Sequence, residues 1–258
     1  MKASAVEFRL RYLVHAAIYV IGFTAPWNYF LKAGASQAGT GGADFASGFW
    51  SGRSVWLPAA LQIERAGWMS LTGAANFLLG LGIAFVLAGA VLRTWGSAYL
   101  GAGVVQDGRM HGGAVVADGP YRHLRNPLYL GTFLHTFALA LLMPASGAVF
   151  AIIAIGFEEL RLIGGEEAFL EGKLGEAYLA YKAKVPRLLP AFKARVAASG
   201  VRPAWGKAFL AETYMWGVVV AFASVGTRYN ALLVTQGVLA AFGVSLVARA
   251  FVPRVSAD

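Results

Sequence analysis

The chain contains no cysteine. That absence excludes a disulfide framework, a thiolate zinc site, a cysteine nucleophile and lipidation of the chain's own thiol. Charge is scarce too, at 14% of residues, and the 13 acids are outnumbered by 22 lysines and arginines. No Gly-rich loop follows a β-strand pattern, so a soluble dinucleotide-type lobe is not expected. What is abundant is apolar: 58% of 258 residues are hydrophobic, with a mean hydropathy of +0.59, outside the range of an ordinary soluble domain. The pattern is that of an integral membrane protein, short enough that its chemistry must sit on loops and helix ends. In such a chain the net charge of +9 reports which loops face the cytoplasm, and a nucleic-acid partner is not expected.

A membrane span needs roughly 20 apolar residues in a helix. Six segments approach that: 13–31, 71–95, 128–143, 145–163, 208–226 and 231–252. Met143-Pro144-Ala145-Ser146-Gly147 carries the residues of a tight helical hairpin turn between the third and fourth. The fold class expected is therefore all-α, a polytopic bundle of about six spans. Of the 22 lysines and arginines, all but Lys32, Arg53, Arg65 and Arg228 fall on one side of this arrangement. The positive-inside rule makes that side, with both termini, cytoplasmic. The first apolar run reads as a span and not as a cleaved signal, because Pro26, Trp27 and Asn28 fit poorly in a signal core. After it, an external loop to Ser70 carries Trp50, Trp56 and Trp68, as an interfacial segment would.

Two stretches on the cytoplasmic side hold most of the polar chemistry. The first is Gly119-Pro120-Tyr121-Arg122-His123-Leu124-Arg125-Asn126-Pro127-Leu128-Tyr129-Leu130-Gly131, at the entrance of the third span. The second runs from Gly164 to Pro190, where Glu166, Glu167, Leu170 and Leu174 lead to Gly175, Tyr178 and Tyr181. Its spacing predicts a helix leaving the membrane, a turn at Gly175 and a second short helix. Plainer readings exist for every part. Arg122 and Arg125 can be anchors meeting lipid phosphate. The paired glutamates can be a solvated face, and the tyrosines can belong to the interfacial aromatic belt. His135 and Glu212, inside spans, are equally open.

In this order and at these spacings, the two stretches resemble the isoprenylcysteine carboxyl methyltransferases and their bacterial relatives, which merge into the phospholipid methyltransferases. Arg125-Asn126-Pro127-Leu128-Tyr129-Leu130-Gly131 is similar to the family's Arg-His-Pro-x-Tyr-x-Gly element. Glu166-Glu167-x-x-Leu170, Leu174-Gly175, Tyr178, Tyr181 and Val185-Pro186-Arg187-Leu188-Leu189-Pro190 are similar to the later one. Leu92-Arg93-Thr94-Trp95 is similar to the helix leading into the cofactor lobe, so the resemblance covers roughly 80–190.

What the resemblance implies is an S-adenosylmethionine site at the cytoplasmic membrane surface, formed by helix ends and the loop after the fourth span. The division that follows is 1–70 as first span and external loop, 71–190 as methyltransferase core, and 191–258 as a C-terminal pair of spans. Carried over residue by residue, the cofactor site comprises Tyr121, Arg125, Asn126, Pro127, Tyr129, Gly131, Glu166, Glu167 and Tyr178. Arg125, His123 and Glu167 are the candidates for the chemistry, and no metal is implied. Asn126 stands where the commoner form has His; an amide bonds but cannot titrate. The activity implied is methyl transfer to a lipid or isoprenoid-like acceptor reached from the bilayer, leading with a carboxylate. A phospholipid amine or a small thiol is the alternative acceptor. A nicotinamide-dependent membrane reductase and a non-enzymatic membrane protein are the alternatives outside this reaction.

Overall fold

The structure is a computed structural model and describes residues 2–25, 54–107, 110, 112–113 and 115–251. All regular structure among these is helical. The end of the first expected span, the external loop through Arg53 with Trp50, and the cations Arg109 and Arg254 lie outside the described residues.

Helix α1 (Ala5–Thr24) starts well before the expected span, because Ser4 and Glu7 form a reciprocal capping box. Helix α2 (Trp56–Arg65) lies on α3 (Leu71–Leu100). Here the structure departs from the interfacial reading of the tryptophans. Trp68 is 75% exposed, whereas Trp56 is buried in the core and donates its indole N–H to the Ala75 carbonyl at 3.0 Å. An indole whose single donor is satisfied can be buried without penalty, so Trp56 anchors the segment inward.

At 30 residues, α3 rises about 45 Å, more than the roughly 30 Å apolar core, so its end projects past the membrane. It stops at Gly101, whose φ of 99° few other residues adopt, and a short α4 (Ala102–Gln106) follows. After a 3-10 turn (Gly119–Arg122), α5 (Pro127–Ala140) enters with proline in its first turn. It packs along α3 at a contact where neither side admits a side chain. A Cβ on Gly89 would sit 2.6 Å from the Gly131 carbonyl, and one on Gly131 would sit 2.6 Å from Cγ of Arg93.

Pro144 caps α6 (Ala145–Leu174), which is a single helix from the hairpin turn to Gly175 at φ 52°. Helix α7 (Glu176–Lys184) then leads into a strap, residues 185–204, without regular structure. The turn at Gly175 and the short helix beyond it stand where the spacing put them. The fifth expected span is not straight: α8 (Trp205–Ala211) and α9 (Thr213–Val225) bend by 67° at Glu212. Helix α10 (Ala231–Arg249) closes the bundle against α9.

The bend falls at a buried ion pair. The Glu212 carboxylate, 2% exposed, accepts from Arg93 Nε at 2.7 Å and Nη2 at 3.1 Å and from the Ser97 hydroxyl at 2.6 Å. Arg93 Nη1 donates onward to the Thr132 hydroxyl of α5 at 2.8 Å. An ion pair so completely hydrogen-bonded is what a low-dielectric interior tolerates. Phe222, Val218, Val86, Leu139, Met143 and Ile155 belong to the main apolar core of the bundle.

By length and composition, α3 and α10 can each cross a membrane, and the bent α8–α9 pair makes a third candidate. The 14-residue α5 rises only about 21 Å.

Candidate active site

The end of α6, the turn and strand of chain entering α5, α7 and the start of the strap meet at one place. Each arrives there for a local reason. Pro127 cannot extend a helix backwards, so Arg125 and Asn126 form an irregular entry, with Asn126 at φ −124° and ψ 58°. Gly175 reverses the chain after α6 and folds α7 back over that entry. The strap then runs alongside it: the Arg125 N–H donates to the Pro186 carbonyl at 2.9 Å, and the Asn126 side-chain amide donates to the Arg187 carbonyl at 3.0 Å.

At the centre is Glu167, whose side chain is 8% exposed. One oxygen lies 3.5 Å from Nη2 of Arg125 and the other 3.1 Å from Nη2 of Arg187. Next to it on α6, Glu166 accepts from the Tyr129 hydroxyl at 3.0 Å. Burial raises the Glu166 carboxyl above its usual range, opposed by the Tyr129 hydrogen bond and by Arg11. Burial, and then the neighbouring Glu166, push the Tyr121 hydroxyl up, so it stays protonated and available as a donor. Tyr178 is buried beside Tyr181 with ring centroids 5.9 Å apart, and Tyr181 donates to the Tyr121 carbonyl at 2.8 Å.

Among the described residues, four buried polar atoms here have no hydrogen-bond partner: Nε and Nη1 of Arg125, Oε1 of Glu167 and the Tyr121 hydroxyl. The remaining expected residues stand apart from this group. His123 has its Nδ1 at 2.8 Å from the Ala191 carbonyl and faces Trp95. Pro127 is buried against Gly96, and Gly131 faces α3 across the close approach already described. Arg187 is the neighbour that a residue-by-residue carry-over does not mark, although it lies inside the Val-Pro-Arg stretch of the second motif.

The strap is held from below by Asp118, which accepts from the Ser199 hydroxyl and from the backbone N–H groups of Ser199, Gly200 and Val201. The Ser199 hydroxyl is the main reason this carboxyl lies below its ordinary 3.8. A depressed carboxylate contributes stability that is complete above the ordinary value and is lost as pH falls through the depressed one. Asp118→Asn removes that contribution. The thermal midpoint of the wild type is therefore expected to fall more steeply than that of Asp118→Asn below pH 3.8; parallel curves would show that the cage does not bear on stability.

Residues 77–177 match the family model described as phospholipid methyltransferase. No curated protein and no solved structure matches the chain. The matched segment runs from within α3 to the start of α7, and takes in Tyr121, Arg125, Asn126, Tyr129 and both glutamates of the cluster. Members of this family use S-adenosylmethionine, the cofactor that the resemblance of the two motifs implies. Residues 77–177 are thus similar to the phospholipid methyltransferase family, whose members are S-adenosylmethionine-dependent enzymes, and in this chain that segment is carried among helices able to cross a membrane.

Proposed function

We propose that the cluster around Arg125 and Glu167 binds S-adenosylmethionine, and that the chain methylates the amine of a membrane lipid. The observation that carries this reading is the set of buried atoms on Arg125, Glu167 and Tyr121 that have no hydrogen-bond partner among the described residues. Each such atom costs about 1–3 kcal/mol when left unsatisfied. Such groups fit a ligand that presents a carboxylate and an ammonium together. Arg125 holds the carboxylate of the cofactor's amino-acid end, Glu167 its ammonium, and Tyr121 donates to a further acceptor. The ring of Tyr178 supplies a face for adenine or for the sulfonium. Asn126 and Tyr129 line the same entry, while Pro127 and Gly131 shape it.

S-adenosylmethionine supplies an electrophilic methyl on its sulfonium, open to in-line attack. The chain contributes position and exclusion of water, which convert a bimolecular encounter into a near-unimolecular one. An amine attacks only when neutral, and Glu166, made more basic by burial, is the candidate to accept the proton. A carboxylate acceptor is the second reading. It needs no base, and it is favoured by Asn126, an amide that cannot titrate where the commoner motif has His. His123 is the remaining candidate for proton transfer.

The arrangement proposed for the membrane is six crossings, with both termini and this site on the cytoplasmic side. The acceptor reaches the site laterally between helices while the cofactor enters from the aqueous side. Calorimetric titration of S-adenosylhomocysteine into the detergent-purified chain tests the cofactor reading, with micromolar binding expected. Labelled methyl transfer to aminophospholipid in nanodiscs then tests the acceptor. Absence of heat from folded protein would remove the cofactor assignment, and label in a fatty carboxylate but not in an amine would select the second reading.

A further inference from the structure

On the far side of Glu167 from Arg125 lies a cavity of about 370 Å³, lined by Lys2, Arg161, Lys182 and Arg187 together with Glu167, Glu171, Leu160 and small residues of α6. The four cations come from four different parts of the chain: the N-terminal tail, the middle of α6, α7 and the strap. Three of them, Lys2, Lys182 and Arg187, lie outside the segment 77–177 that the family model covers. The tail is not there by chance. The Ala3 N–H donates to the Arg161 carbonyl at 2.9 Å, and Gly165 admits Ala3 so closely that a Cβ would sit 2.6 Å from its carbonyl. Those contacts fix Lys2 at the cavity.

The cations exceed the carboxylates. Arg161 is shared with Glu7 at 2.6 Å, Lys182 with Glu171, and Arg187 with Glu167 at 3.1 Å. A guanidinium carries five donors, so one carboxylate contact leaves capacity for an anion. Leading away from the cavity along α6, Leu160, Phe157, Ile153 and Val149 are each about half exposed or more, at 48%, 50%, 65% and 57%. Their spacing puts them on one face of the helix. That face extends about 16 Å from the cavity into the apolar layer.

We infer that this cavity seats the phosphodiester of the acceptor glycerophospholipid, held by Lys2, Arg161, Lys182 and Arg187, with its chains along the α6 stripe. The inference rests on the proposed methyltransferase reading and adds to it the group by which the acceptor is held. Phosphate accepts hydrogen bonds from lysine and bidentate ones from arginine. The far end of the headgroup then lies against Glu167, which lines this cavity and pairs with Arg125. Glu167 thereby marks the junction of acceptor and cofactor. The lysines and arginines act on the phosphate, not on the reacting atoms.

The test uses the full chain in detergent and dihexanoyl-phosphatidylethanolamine as the lipid probe. The Lys2→Ala/Arg161→Ala variant is expected to bind this lipid roughly 10- to 100-fold more weakly than the wild type. It should bind S-adenosylhomocysteine as the wild type does, which also certifies its fold. Dihexanoylglycerol, with the same chains and no phosphodiester, should bind the wild type no better than the variant binds the phospholipid. Glycerophosphoethanolamine, with the headgroup and no chains, should bind much more weakly than the lipid. Equal lipid affinity in variant and wild type, equal binding of dihexanoylglycerol, or equal binding of the chain-free headgroup would each overturn the seat as described. Should the variant lose its fold, the two probe comparisons on the wild type still decide. Failure of S-adenosylhomocysteine to bind the wild type would instead count against the methyltransferase reading and leave lipid binding to be judged by itself.

Discussion

Arg125→Ala is expected to weaken S-adenosylhomocysteine binding by roughly 30- to 1,000-fold, because truncating one member of a buried charged contact costs about 2–4 kcal/mol. The guanidinium carries two buried nitrogens with no hydrogen-bond partner among the described residues and a side chain only 9% exposed, so a ligand carboxylate would meet it in a desolvated setting. Arg125→Lys should recover little of the loss, since an ammonium cannot reproduce a planar fork. Glu167→Ala belongs in the same range, with a further consequence: it leaves Arg187 without its carboxylate at 3.1 Å. The double variant should lose less than the sum of the two single losses, as neighbours in one charge network do. Isothermal calorimetry on the three variants reads all of this. An affinity within about twofold of the wild type for Arg125→Ala, in folded protein, would remove Arg125 from the cofactor site.

The largest stability effect should come from outside the matched segment, at Glu212. Glu212→Ala leaves Arg93 charged and buried beneath α5 with its bidentate partner gone, a change that costs about 3–5 kcal/mol when a buried pair is broken on one side. Arg93→Met/Glu212→Met, which removes both charges and fills similar volume, should lie much closer to the wild type. Denaturant titration in detergent, followed by tryptophan fluorescence, compares them. An Ala variant within about 0.5 kcal/mol of wild type would show that the pair contributes nothing net. The effect should not stay local. Arg93 also bonds Thr132 at 2.8 Å, one turn beyond Tyr129, so the single variant should weaken S-adenosylhomocysteine binding as well, and the double variant less so.

This coupling gives the C-terminal helices a definite place in the molecule. They lie outside the family match, yet Glu212 neutralises an arginine inside it, and Trp216 donates to Thr94 at 2.9 Å. The entry of α5, where Asn126 and Tyr129 sit, is therefore supported by helices that the shared core does not include.

Much of the candidate site was legible from residue order because its parts are local. The entry stretch and the glutamate stretch each occupy a few turns, and Pro127 and Gly175 impose their own backbone geometry wherever they fall. Trp56 was misplaced as interfacial because its burial depends on a single acceptor, the Ala75 carbonyl, that no local pattern reveals. Glu212 and Arg93 were both visible as charges near apolar runs. Their pairing across 119 positions of sequence was not, since nothing between them sets the distance.

By itself the sequence pointed to a helical chain able to cross a membrane, helical throughout its regular structure among the described residues, with a segment similar to the phospholipid methyltransferases. Composition, helical periodicity and two short motifs are sufficient for that, because hydropathy and backbone preference act residue by residue. Only the tertiary structure decided which charges meet: Glu167 between Arg125 and Arg187, Glu212 on Arg93, and Lys2 brought to Arg161 by the backbone of Ala3. Electrostatic partnership falls off over a few ångströms and depends on burial, so it follows from packing and not from order along the chain.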